Sequence, residues 1–215
     1  MSKGNIKTVA LSEEQFHEII NTMNNGCSLF RPNNKIATAL VLEANLGLRI
    51  SDIVTLKLSS IVKDGDRYRL DIKEKKTDKA RTFTVNPTVY CFIMDYVSEH
   101  GIKKNEYLFP HSDKNRKYPI TTAAVQKHLR TVCDYLGYGD LHISTHSFRK
   151  FFATRIYEDN DYNLVLVQRL LQHCSPSVTQ RYIGIGSKDL ESAIENSTIL
   201  PSETTNKHSD EKKGA

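Results

Sequence analysis

Between Tyr68 and Val85 the apolar residues fall on every second position, whereas the segments on either side repeat every third or fourth. Tyr68, Leu70 and Ile72 alternate with charged residues, and beyond a polar connection Phe83 and Val85 alternate with Thr82 and Thr84. Successive strand side chains point to opposite faces, so this pattern describes a β-hairpin with one apolar face. Its connection, Glu74 to Lys79, carries three lysines at an exposed tip. Most of the remainder reads as helix, which makes the chain a mainly helical α+β protein with a small antiparallel sheet.

The helical segments carry their own punctuation. Ser12-Glu13-Glu14-Gln15 has the form of a capping box, followed by Phe16, Ile19, Ile20 and Met23 at helical spacing up to about Asn24. A second helix spans about Asn34 to Leu46 and is closed by Gly47, where a left-handed residue is favoured. Arg49 comes just after that stop, and Ser51-Asp52 open a short helix with Ile53 and Leu56 inward. Asn86-Pro87 start a helix that ends at Gly101, Tyr107 to Pro110 reads as extended, and His111 to Tyr118 as loop. Further helices run from Thr122 to Leu136, from Ser144 through Phe152 and Ile156, and from Asn163 to Gln172. Ser175-Pro176 then starts a short helix with Tyr182 near its end. Lys188 to Ile199 has the pattern of one more helix, and Pro201 to Ala215 has none. Residues 1–200 therefore read as one domain and 201–215 as a disordered tail.

A chain of 215 residues can bury a core without disulfides or a structural metal. Cys27, Cys91, Cys133 and Cys174 are far apart and form no C-x-x-C pair, so neither zinc nor a disulfide framework is indicated. No apolar signal stretch opens the chain and no run approaches a membrane span, which predicts a cytoplasmic protein with no membrane partner. Thirty Lys plus Arg against twenty-five Asp plus Glu give a formal charge of +5, a mild bias towards polyanions that decides nothing alone.

Five cationic or titratable side chains sit at joints between predicted elements: Arg49, Lys76, His146, Arg149 and His173. Functional groups gather at such element ends. Taken singly, each has a bland reading as a solvated charge or a polar helix start. In order, together with Tyr182 nine positions after His173, they do not. The segments Gly47-Leu48-Arg49-Ile50-Ser51-Asp52-Ile53, the lysine hairpin, His146-Ser147-Phe148-Arg149, and Leu171-Gln172-His173-Cys174-Ser175 leading through Thr179 to Tyr182 closely resemble the tyrosine recombinase, or phage integrase, family. The resemblance covers about Thr8 to Ile183.

That resemblance implies a catalytic domain that exchanges DNA strands without metal or cofactor. Arg49 and Arg149 would clamp the scissile phosphate, since guanidinium forks donate paired hydrogen bonds and stay charged. Tyr182 would be the nucleophile, giving a 3′-phosphotyrosine and a 5′-hydroxyl. His146 would serve as general base and acid, His173 would donate to the phosphate, and Lys76 would protonate the departing oxygen. Lys75 and Lys79 compete with Lys76, which is preferred because residues 76–81 fit the family's hairpin pattern best. Asp52 would hold the Arg49 region. Phe148, Phe151, Phe152, Leu170, Leu171 and Val178 are assigned to packing.

One departure is Gln172, where the family often has glycine. Another is the absence of the N-terminal helical domain that members commonly carry, so the chain is either a fragment or a short form. The resemblance implies double-stranded DNA as partner, a homotetramer on paired sites, accessory DNA-bending proteins as further partners, and a nucleoid location when DNA is bound. Alternatives kept open are a catalytically silent recombinase-derived regulator, a type IB topoisomerase and a metal-dependent nuclease.

Overall fold

A computed structural model describes residues 8–73, 80–173 and 175–184. Eight α-helices, two single-turn 3₁₀ helices and three strands are found among them. Helix α1 (Glu13–Asn25) begins as anticipated: the Ser12 amide donates to Gln15 Oε1 at 3.0 Å and the Gln15 amide to Ser12 Oγ at 3.1 Å. Helix α2 (Asn34–Leu46) is apolar on nearly every side, with Ile36, Ala39, Leu40, Leu42, Ala44 and Leu46 all buried. A helix apolar all round belongs in the centre of a domain, and α2 packs against α1, against the short α3 (Ile50–Ile53) and against α6 (Thr145–Asp159).

The sheet has three antiparallel strands in the order β1 (Ile61–Asp64), β2 (Arg67–Lys73), β3 (Ala80–Val85). The hairpin register pairs Leu70 with Phe83 and Tyr68 with Val85. Leu70 and Val85 are buried, and Tyr68 stacks on Tyr90 of α4 (Pro87–His100) with ring centroids 3.5 Å apart. Strand β1 was not anticipated. It is four residues long, with Ile61 and Val62 half-buried and Lys63 and Asp64 exposed, too short to display an alternating pattern.

Tyr107 to Pro110 joins the core through isolated bridges, and Leu108 and Phe109 are fully buried. Helix α5 (Thr122–Tyr135) buries Val125, Leu129 and Val132 as its spacing predicts. The last two described helices, α7 (Leu164–Leu171) and α8 (Pro176–Ile183), dock on α6 through a separate small cluster. Ala153, Val167 and Leu171 form its buried centre, with Phe152, Ile156, Tyr157, Tyr182 and Ile183 around them. Among the described residues no helix is long and apolar enough to cross a membrane. The expected helix over 188–199, the tail from 201 and the hairpin tip with Lys75, Lys76 and Lys79 lie outside the described residues.

Candidate active site

The site is assembled where three helices end. Helix α2 stops at Gly47, whose φ of 60° places it in the left-handed region. A Cβ on Gly47 would lie 2.3 Å from Phe152 Cε1, so the turn needs glycine for conformation and for space. Two residues later Arg49 occupies the N-cap of α3 in extended conformation and borders an open cleft shared with Ser51, Gln126 and His146. His146 is exposed in the first turn of α6, and Arg149 lies one turn further along.

Arg149 is only 2% exposed. Its Nη1 donates to the Gly47 carbonyl at 2.7 Å and its Nη2 to the Leu171 carbonyl at 3.1 Å. Both acceptors lie at helix C-termini, where aligned peptide dipoles concentrate negative charge. A buried cation is thus paired with the ends of α2 and α7, which fixes the plane of its guanidinium. The side chain read from sequence as a phosphate clamp also ties two helices together.

His173 follows Gln172, which has φ 52° and ψ 43°, the conformation the family's glycine would adopt without strain. The departure noted in the sequence leaves the turn intact: the His173 amide donates to the Gln168 carbonyl at 3.1 Å, and Gln168 Nε2 donates to the His173 carbonyl at 3.2 Å. The ring is held by a 3.0 Å hydrogen bond between Nδ1 and Oγ1 of the fully buried Thr179. Burial, then the charges of Arg149 and Arg49, push the imidazole pKa down to about 4.

Tyr182 packs edge-on to His173, with ring centroids 5.1 Å apart and planes at 76°. Lys150 Nζ stands 5.5 Å from the centroid of the phenol ring and donates to the Thr8 carbonyl at 2.5 Å. Burial pushes the phenol pKa up to about 12; Arg149 and Arg49 pull it down, and Glu43 pushes it further up. Arg149 is near enough to exert that pull, yet the phenol oxygen makes no hydrogen bond of good geometry among the described residues.

Arg49, Arg149, His173 and Tyr182 therefore share one electrostatic environment, and His146 borders the same cleft as Arg49. Lys76 lies outside the described residues. Asp52 is buried on α3 beside Arg49. Sequence reasoning missed Glu43, Lys150 and the role of Thr179. The one available signal was for Glu43, a lone acid inside an otherwise apolar stretch of α2. Among the described residues no three His, Cys, Asp or Glu side chains gather as a metal site.

The phage integrase family model matches residues 10–187, most of the chain and all of the elements just described. The chain belongs to the phage integrase family. It is 33% identical over 157 residues to the probable integrase/recombinase YoeC of Bacillus subtilis, covering 73% of this chain and 81% of that protein. Tyrosine recombinase XerA of Pyrococcus furiosus is 26% identical over 193 residues, covering 89% of this chain and 62% of XerA. Among solved structures, the catalytic domain of bacteriophage HP1 integrase superposes with a TM-score of 0.57 at 19% identity, covering 88% of this chain and 95% of that one. The XerH recombinase in its pre-cleavage complex with difH substrate gives a TM-score of 0.63 at 21% identity, covering 87% and 55%. The fold of this integrase-family chain is that of a tyrosine recombinase catalytic domain, and the chain spans little more than half of the XerH chain.

Proposed function

We propose that this tyrosine recombinase cleaves and rejoins double-stranded DNA at specific sites through a covalent bond to Tyr182. The observation that carries the reading is the common environment of one phenol, one imidazole and two guanidinium groups at the junction of α2, α6, α7 and α8. A phosphodiester repels an approaching nucleophile, and displacement at phosphorus loads charge onto its non-bridging oxygens. Arg49 and Arg149 offset that charge. Arg149 is preorganised by its two carbonyl bonds, so little reorientation accompanies the reaction.

The Tyr182 oxygen attacks phosphorus, the P–O5′ bond breaks, and the strand is left with a 3′-phosphotyrosine and a 5′-hydroxyl. Two protons must move: one leaves the phenol and one reaches the departing 5′-oxygen. At neutral pH the phenol is protonated, because burial holds its pKa near 12. His146 in the open cleft takes that proton. Lys76 supplies the proton to the 5′-oxygen, an assignment that rests on sequence alone, with Lys75 and Lys79 as its competitors. His173 stays neutral because burial and two arginines oppose its charging. The Nδ1–Oγ1 hydrogen bond admits the tautomer in which the Thr179 hydroxyl donates to Nδ1, and in this reading that tautomer puts the proton of the neutral ring on Nε2 as a donor to phosphate.

The DNA partner is supported by the family and by relatives solved on DNA, such as the XerH complex with difH. A homotetramer on paired sites, help from DNA-bending proteins and location at the nucleoid are further parts of this proposal. The test uses nicked duplexes taken from DNA flanking the encoding locus, in which a nick beside the cleavage position lets the 5′-fragment diffuse away. The wild-type chain accumulates a covalent protein–DNA adduct, and Tyr182→Phe binds the duplex without forming one. An adduct formed by Tyr182→Phe would overturn the assignment. A wild-type chain that binds these duplexes and forms none would favour the silent regulator.

A further inference from the structure

Glu43 is fully buried on α2, and neither carboxyl oxygen makes a hydrogen bond of good geometry among the described residues, although the Ile50 amide is close enough to favour the ionised form. Its neighbours on the helix, Leu40, Leu42, Ala44 and Leu46, are buried and apolar. An isolated carboxylate in such surroundings is strongly disfavoured. The Glu43 carbonyl accepts from the Gly47 amide, and the Gly47 carbonyl in turn holds Arg149. Glu43 therefore stands on the turn that anchors the buried guanidinium.

The charged and titratable groups around it come from each packed element. Helix α6 contributes Arg149, whose charge acts on Glu43, and α8 contributes Tyr182, on which Glu43 acts. Helix α3 brings Arg49 and the buried Asp52. Helix α1 brings none, because its Glu13, Glu14, His17 and Glu18 are all exposed. The charge of one guanidinium, Arg149, thus acts on two groups whose oxygens are buried and make no hydrogen bond of good geometry among the described residues, the Glu43 carboxyl and the Tyr182 phenol.

We propose that Glu43 is a positioning residue that works in its protonated form: neutral, it leaves the charge of Arg149 to the scissile phosphate, and ionised, it captures that charge and repels both phosphate and phenolate. The proposal rests on the reading of Arg149 and Tyr182 given above. Burial, opposed by Arg149, holds the carboxyl well above the usual carboxylate range, which fits a group that keeps its proton in the resting enzyme. An arriving phosphate adds negative charge to the same pocket and favours that proton further. By linkage, DNA binding then takes up a proton wherever Glu43 is partly ionised.

The experiment compares wild type with Glu43→Gln across the neutral-to-alkaline range, following DNA affinity and single-turnover formation of the Tyr182 adduct. In wild type the adduct rate falls on the alkaline side, approaching about tenfold per pH unit once Glu43 ionises. Glu43→Gln, which is permanently neutral, keeps activity at lower pH and carries the fall to higher pH, where only the loss of the general acid's proton remains to cause it. Calorimetric titration of wild type with the nicked duplex, in buffers of differing ionisation enthalpy, shows proton uptake on the alkaline side. That measurement stands even if Glu43→Gln fails to fold.

An unchanged pH profile in a folded Glu43→Gln variant would sink the proposal, as would loss of activity at every pH or binding by wild type without proton uptake. Failure of the underlying reading is separable, because in that case wild type forms no adduct or Tyr182→Phe forms one.

Discussion

Replacing Gly47 by alanine tests the joint on which both arginines depend. Two costs are separable in the structure. A left-handed alanine costs about 1–2 kcal/mol relative to a relaxed backbone. The new methyl would also fall 2.3 Å from Phe152 Cε1 and 2.4 Å from Cδ1, and overpacking of this kind costs about 1–3 kcal/mol. Phe152 is half-buried and borders a cleft with Ala44, Val89 and Ile156, so the ring has room to swing and the steric cost sits at the lower end. The expected total is about 2–3 kcal/mol of stability.

Denaturant midpoints at constant slope measure that loss, and a cycle with Phe152→Leu divides it. In the Phe152→Leu background the steric part returns, roughly 1 kcal/mol of favourable coupling, and the backbone part does not. Because the Gly47 carbonyl accepts from Arg149 at 2.7 Å, adduct formation falls together with stability. A loss below about 0.5 kcal/mol, or one identical in both Phe152 backgrounds, would refute this account of the turn.

Two further outcomes are expected. Gln172→Gly relieves a side chain held at φ 52° and raises stability by up to about 1 kcal/mol, net of the extra chain entropy glycine gives the unfolded state; a lower denaturation midpoint would show that Gln172 contributes contacts outweighing its strain. For His173 the folded pKa of about 4 lies below the ordinary 6.5, so between these values the unfolded chain binds the extra proton. Its stabilising contribution is complete above pH 6.5 and is lost as pH falls towards 4, and His173→Gln flattens this acid limb in pH-dependent denaturation. An unaltered limb in that variant would place the titration elsewhere.

Much of the fold was legible because its signals are local. The Ser12–Gln15 box, the Asn86-Pro87 start, the glycine stops at Gly47 and Gly101, and the alternation from Tyr68 to Val85 each concern a few neighbouring residues, and each produced the element it indicated. Strand β1 was illegible because four residues cannot establish a period and its pairing partner is supplied by β2. In the candidate site, the order of Arg49, His146, Arg149, His173 and Tyr182 was legible because each lies within about a turn of a helix stop or cap. The hydrogen bond from Thr179 to His173 could not, since it depends on how α8 returns against the end of α7.

The order of residues alone determined the type and ends of most elements and the family to which the chain belongs, because caps, stops and short motifs act through adjacent residues. Only the tertiary structure decided which groups lose water together. It buried Arg149 against two helix ends, left the Tyr182 phenol and the Glu43 carboxyl without a hydrogen bond of good geometry among the described residues, and held the His173 ring neutral. Charge states follow from dielectric and distance across α2, α6, α7 and α8, and neither quantity is written in the spacing of residues along one helix.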